Sequence, residues 1–189
     1  MNVDYSYEKE RKEFLIELMR KSGWEVYQEV VSDQKHENGK YKFRLDIMGR
    51  PPNQTFFIGF ELKLYDGVRQ GGEFFESLKQ TLDYQNCTFK GLKIECWVID
   101  LYHYENDSID SIDIWSNNTY KSSCIFMQSF LQKIGIGMIN KSGKINFMIS
   151  NSEYIHDIKN NPYYPNKTDW NKILDWCKKN KIIIQRERK

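Results

Sequence analysis

Residues 56–65 read FFIGFELKLY. Glu61 and Lys63 stand two apart in a run that is otherwise apolar and aromatic. Side chains alternate across a strand, so both project from one face. A carboxylate withdrawn from water is costly unless something compensates it. The compensating groups must therefore come from neighbouring elements.

The nearest source is upstream. YKFRLDIMG (41–49) reads as a strand with Asp46 at mid-length, and RPPNQT (50–55) follows as a turn. Its two prolines forbid a regular ladder there. A hairpin between the two strands brings Asp46 close to Glu61. Facing carboxylates repel each other and stay ionised most easily around a hard dication, and Mg²⁺ takes oxygen ligands of this kind. A lysine beside them can orient water and offset charge growing on a phosphate.

Working outward, Tyr7 to Lys21 reads as a helix with a stripe of Phe14, Leu15, Leu18 and Met19. Ser6 is the expected N-cap and Gly23 the expected stop. WEVYQEVV (24–31) alternates as a strand. SDQKHENGK is polar and holds an Asn-Gly turn signal. After FFIGFELKLY, YDGVRQGG (65–72) reads as a glycine-containing loop. EFFESLKQTLDYQN (73–86) reads as a helix with Phe74, Phe75, Leu78 and Leu82 towards the core. LKIECWVIDLY (92–102) is an apolar, central strand, and 103–113 is an acidic loop. Residues 122–135 read as a helix, and 136–150 as a hairpin around Lys141-Ser142-Gly143-Lys144. A proline-punctuated linker (160–168) leads to a helix over 168–180 capped by Thr168 or Asp169. KIIIQRERK ends the chain as a short strand and a charged tail. The order is α-β-β-β-α-β, then α-β-β and a C-terminal piece, which is an α/β pattern with a mixed sheet of four to five strands.

The chain has 189 residues, 40% apolar, 29% charged and 15% aromatic. That suits one compact domain over 1–159, with the C-terminal helix and tail (160–189) packed on it. The net charge of +2 makes any nucleic-acid surface a local one. The cysteines form no CxxC pair, which disfavours a zinc site of that spacing. No signal core or membrane-length apolar run is present, so a reduced, cytoplasmic protein is expected. His36, His103 and His156 read as surface histidines, with no arrangement suggesting a triad.

Asp46, followed after a hairpin by Glu61-Leu62-Lys63, resembles the PD-(D/E)xK nuclease motif. The preceding helix with a glutamate, the Gly23 stop and the following strand are similar to Holliday-junction resolvases and related restriction-like nucleases. QTLDY (80–84) resembles the Q-x-x-x-Y motif that follows the catalytic strand in exonuclease-like and RecB-like branches. Gln80 and Tyr84, four apart, share a helix face. The resemblance covers roughly residues 8–100, and Leu45 stands where the motif often has proline.

The resemblance implies a restriction-endonuclease-like fold, a mixed sheet flanked by helices, and Mg²⁺-dependent hydrolysis of DNA, with Mn²⁺ able to substitute. It implies Asp46 and Glu61 as metal ligands, the Leu62 carbonyl as a third, and Lys63 as the catalytic lysine. The first-helix acid would be Glu13, with Glu10 one turn away; Glu29 in the first strand is an alternative ligand. Gln80 and Tyr84 would steady the site or hold substrate phosphate. Arg69, in the loop after the catalytic strand, is a phosphate-binding candidate. Arg11, Lys12, Arg20 and Lys21 read mainly as a solvated helix face.

Other readings stay open. Asp46, Glu61 and Lys63 can form an ordinary cross-strand ion pair, of about 0.2–1 kcal/mol. The chain can be a non-catalytic nucleic-acid or protein-binding module on the same fold, or a nuclease acting on RNA or small nucleotides. Mobile-element, phage, defence and repair roles all fit, and a homodimer would place two sites across a duplex.

Overall fold

The computed structural model describes residues 6–35, 42–62, 70–100, 129–139, 142–149, 152–159 and 168–182. Helix α1 (Ser6–Lys21) leads into strands β1 (Glu25–Lys35), β2 (Lys42–Arg50) and β3 (Ile58–Glu61). Helix α2 (Gln70–Tyr84) precedes β4 (Thr88–Phe89), β5 (Leu92–Lys93) and β6 (Cys96–Asp100). A short helical stretch, α3 (129–133), precedes β7 (Ile136–Ile139), β8 (Lys144–Ile149) and β9 (Ser152–Asp157), and α4 (Trp170–Asn180) follows. Among the described residues no helix is long and apolar enough to cross a membrane.

The strands form one nine-stranded sheet in the order β5-β4-β1-β2-β3-β6-β7-β8-β9. Pairings β3–β6 and β6–β7 are parallel and the rest antiparallel. The expected α/β mixed sheet flanked by helices is therefore present, with more strands than the expected four or five. Two hydrophobic clusters cover the sheet. Leu15, Ile16 and Met19 of α1 and Ile173, Trp176 and Cys177 of α4 pack against Ile47, Phe60, Val98 and Phe147. Leu78 and Tyr84 of α2, with Leu131 and Ile134, pack against Met48, Phe57, Trp97 and Ile99.

Helix α1 stops as its sequence dictates. Gly23 takes φ +77°, its amide donates to the Arg20 carbonyl at 3.1 Å, and the Trp24 amide donates to Met19 at 3.0 Å. This is the double closure of a Schellman cap, which favours glycine at the left-handed position. At the other end of the chain, Asp169 caps α4 by accepting the Lys172 amide at 3.1 Å.

Several boundaries differ from expectation. β1 continues through polar Ser32–Lys35 because the Ser32 hydroxyl donates to the Gln34 carbonyl and accepts the Phe43 amide, keeping these residues in the sheet. The expected strand 92–102 is split. Lys90 and Gly91 both take positive φ, 54° and 74°, which makes the two-residue hairpin turn joining β4 to β5. α2 begins at Gln70, so Gly71 and Gly72 lie in its first turn, where amides lack intrahelical partners anyway. Phe75, expected in the core, is 55% exposed. β9, a polar edge strand, had no counterpart in the sequence reading. His156 on β9, expected at the surface, is buried between Trp24 and Trp170. The acidic segment 103–113, the first half of the helix expected over 122–135 (residues 122–128), and nearly all of the terminal strand lie outside the described residues.

Candidate functional site

The site begins with a register. β2 and β3 pair Ile47 with Phe60, Met48 with Gly59 and Gly49 with Ile58. One step further along, the same antiparallel register sets Asp46 opposite Glu61. Glu61 is 2% exposed at the C-terminal end of β3. Asp46 Oδ2 accepts the Leu62 amide at 2.9 Å, which ties the end of β3 to the aspartate. The hairpin read from the sequence thus brings the two acids together. On the other side, β3 and β6 run parallel with Glu61 beside Ile99, so Asp100 ends the next strand.

Helix α1 supplies two cations to this end of the sheet. Lys12 Nζ lies 2.9 Å from Asp46 Oδ1 and also pairs with Glu29. Glu29 stands between the pairs Gln28–Ile47 and Val30–Leu45, hence beside Asp46 in the β1–β2 register. It takes φ +52°, a left-handed conformation that non-glycine residues seldom adopt inside a strand. Arg44 Nε reaches its other oxygen at 2.9 Å. Burial pushes the Lys12 ammonium down, but hydrogen bonds to Glu29 and Asp46 and their charges outweigh it, so its pKa is raised. Arg11 turns to Asp100, with Nε to Oδ2 at 2.8 Å and Nη2 to Oδ1 at 3.2 Å.

Helix α2 closes the other side. Tyr84 is buried against Phe43, Phe89 and Trp97, and its hydroxyl donates to the Arg44 carbonyl at 2.9 Å. Burial and then the negative charges of Glu61 and Asp46 push the phenol well above its ordinary value. It therefore stays protonated beside the acids. One turn earlier, Gln80 buries its side-chain carbonyl without a hydrogen-bond partner among the described residues.

The sequence-derived candidates are therefore distributed unevenly. Asp46, Glu61, Leu62 and Tyr84 come together, with Gln80 one turn from Tyr84 on α2. Glu13 does not join them: its side chain is 66% exposed and its salt bridge is with Lys9 at 3.9 Å. Glu10 is also exposed. Lys63 and Arg69 lie outside the described residues. Arg11 and Lys12, expected on a solvated face, instead turn inward, Lys12 to Asp46 and Arg11 to Asp100. The signal for this was available. Lys12 precedes buried Ile16 and Met19 by four and seven residues, and Arg11 precedes Leu15 by four, so both start the buried stripe of α1.

Asp46 and Glu61 offer hard carboxylate oxygens, a donor set suited to Mg²⁺, which keeps several waters and needs only one or two carboxylates. Among the described residues, no group of three or more His, Cys, Asp or Glu side chains is placed to hold a metal. Any such ion would thus rest on two acids and backbone, with Lys12 already in contact with one of them.

No protein-family model matches the chain, and no curated protein matches it. Among solved structures, it is similar to the crystal structure of an XisH family protein from Nostoc punctiforme PCC 73102. The TM-score is 0.40 and the identity 15%, over 69% of this chain and 89% of that one.

Proposed function

We propose that the chain is a Mg²⁺-dependent nuclease that hydrolyses DNA phosphodiester bonds at the end of β3, on a restriction-endonuclease-like scaffold. The observation that carries this reading is the pairing of Asp46 with buried Glu61 across adjacent strands, with α2 covering them through Tyr84. Asp46, Glu61 and the Leu62 carbonyl would hold the ion, and Mn²⁺ would substitute. When bound, Mg²⁺ supplies Lewis-acid chemistry, acidifying water and offsetting charge on the phosphate. The Leu62 amide fixes the orientation of Asp46. Tyr84, kept neutral by burial and the two acids, holds α2 against β2. Gln80 offers an amide to a substrate phosphate. Lys63, outside the described residues, is the expected lysine of the motif.

One observation favours a second reading. Lys12 already neutralises Asp46, and among the described residues no group of three or more His, Cys, Asp or Glu side chains is placed to hold a metal, as in a binding module that keeps the scaffold without the chemistry. A cleavage panel separates the two. Wild type, Asp46→Ala and Lys63→Ala would meet labelled single-stranded, double-stranded, flapped and four-way DNA, and RNA, with Mg²⁺, Mn²⁺ or EDTA. Metal-dependent cutting lost in both variants supports the nuclease, and the strand type preferred defines its substrate. No cutting by wild type under any condition supports the module.

A further inference from the structure

Asp46 has both carboxylate oxygens engaged. Oδ2 accepts the Leu62 amide at 2.9 Å, and Oδ1 faces Lys12 Nζ at 2.9 Å. A divalent cation cannot share Oδ1 with an ammonium without strong like-charge repulsion. Lys12 has somewhere else to go. The same ammonium pairs with Glu29, whose side chain is 37% exposed and whose φ of +52° sets it apart from a regular strand residue. Glu29 is therefore held by Lys12 on one oxygen and by Arg44 on the other, next to Asp46 in the register. Asp46, by contrast, lies between Lys12 and the end of β3 that carries Glu61.

We infer that Lys12 is a positioning residue that acts as the site's built-in cation: it competes with a divalent ion for Asp46 and retires onto Glu29 when the ion binds. This deepens the proposed metal site and rests on it. In the ion-free protein, Lys12 and the Leu62 amide hold Asp46 aimed along β3. Once the ion is present, the ammonium remains within the site, anchored by Glu29 and close to where a substrate phosphate would approach. Glu29 is on this account a docking partner for the lysine and not a ligand of the ion.

The test is calorimetric titration of full-length protein with Mn²⁺ alone. Lys12→Met is expected to bind Mn²⁺ roughly tenfold or more tightly than wild type, because the competing charge is gone. Lys12→Arg is expected to bind like wild type. Glu29→Gln is expected to weaken binding in the Lys12 background and to have no effect combined with Lys12→Met, a coupling that a double-mutant cycle reads directly. If Lys12→Met fails to fold, Lys12→Gln replaces it under the same expectations. Equal or weaker Mn²⁺ binding in Lys12→Met, or in Lys12→Gln where it replaces it, with wild type binding normally, overturns the inference and leaves the metal site standing. A loss of binding on Glu29→Gln in both backgrounds also overturns it, and makes Glu29 a ligand. If no variant and no wild type binds Mn²⁺, the proposed metal site itself fails and the inference goes with it.

Discussion

Arg11 and Asp100 meet in a two-point ion pair, 2.8 and 3.2 Å, that joins the first helix to the end of strand β6, both side chains more than nine-tenths buried. Breaking such a pair from one side leaves a charge stranded in a poor solvent. Arg11→Met is therefore expected to destabilise the fold by about 3–5 kcal/mol. Arg11→Met with Asp100→Leu together should recover much of that loss. Urea unfolding of the two variants checks this, and equal midpoints for the single and double variants would contradict it.

Gly59 lies beside Glu61 on β3, and a Cβ there would come within 2.6 Å of the Trp97 ring. Trp97 is 3% exposed and packed against Tyr84 and Phe89, so it cannot move aside cheaply. Gly59→Ala is expected to cost about 1–3 kcal/mol. Thermal unfolding would show a clearly lowered midpoint; an unchanged one would mean the Trp97 ring has room that the structure does not show.

His156 gives the fold an acid sensitivity. Burial between Trp24 and Trp170 lowers its pKa to about 4, while the neighbouring Asp157 charge pulls weakly the other way; Nδ1 lies 2.9 Å from Thr168 Oγ1. The ordinary value is 6.5, so below that the unfolded chain takes up a proton that the folded chain refuses. The resulting stability is complete above pH 6.5 and is lost as pH falls towards 4, by roughly 2–3 kcal/mol. Comparing unfolding free energies of wild type and His156→Asn at pH 7 and pH 4.5 isolates this contribution. A gap between the two proteins that does not narrow at low pH would rule it out.

Much of this architecture was legible in the sequence, for reasons that differ between elements. The Asp46–Glu61 juxtaposition followed from two alternating strands joined by a turn, because hairpin topology and period-2 alternation leave few other arrangements. The Gly23 stop was readable, and the cap of α4 was narrowed to Thr168 or Asp169, because their chemistry is local; the Lys172 amide settles on Asp169. The resemblance calls for an acid on α1, which points to Glu13 or Glu10, and leaves Lys12 to a solvated face. The buried stripe of Ile16 and Met19 places Lys12, not Glu13, on the side facing β1 and β2. The Lys90-Gly91 turn and the edge strand β9 escaped notice because short polar strands are stabilised by their neighbours and not by their own pattern. His156 was misread for the same reason: its burial depends on Trp24 and Trp170, far away in sequence.

On the proposed reading, Asp46 and Glu61 would hold a dication for phosphodiester hydrolysis. The most direct test is the single-turnover cleavage rate of Glu61→Gln against wild type, on the preferred DNA substrate, in Mg²⁺ and in EDTA, with circular dichroism verifying the fold. The account expects wild type to cut only with the ion and Glu61→Gln to fall by about 10²–10³-fold while remaining folded. Equal rates for the two proteins, or cutting that persists in EDTA, would contradict it.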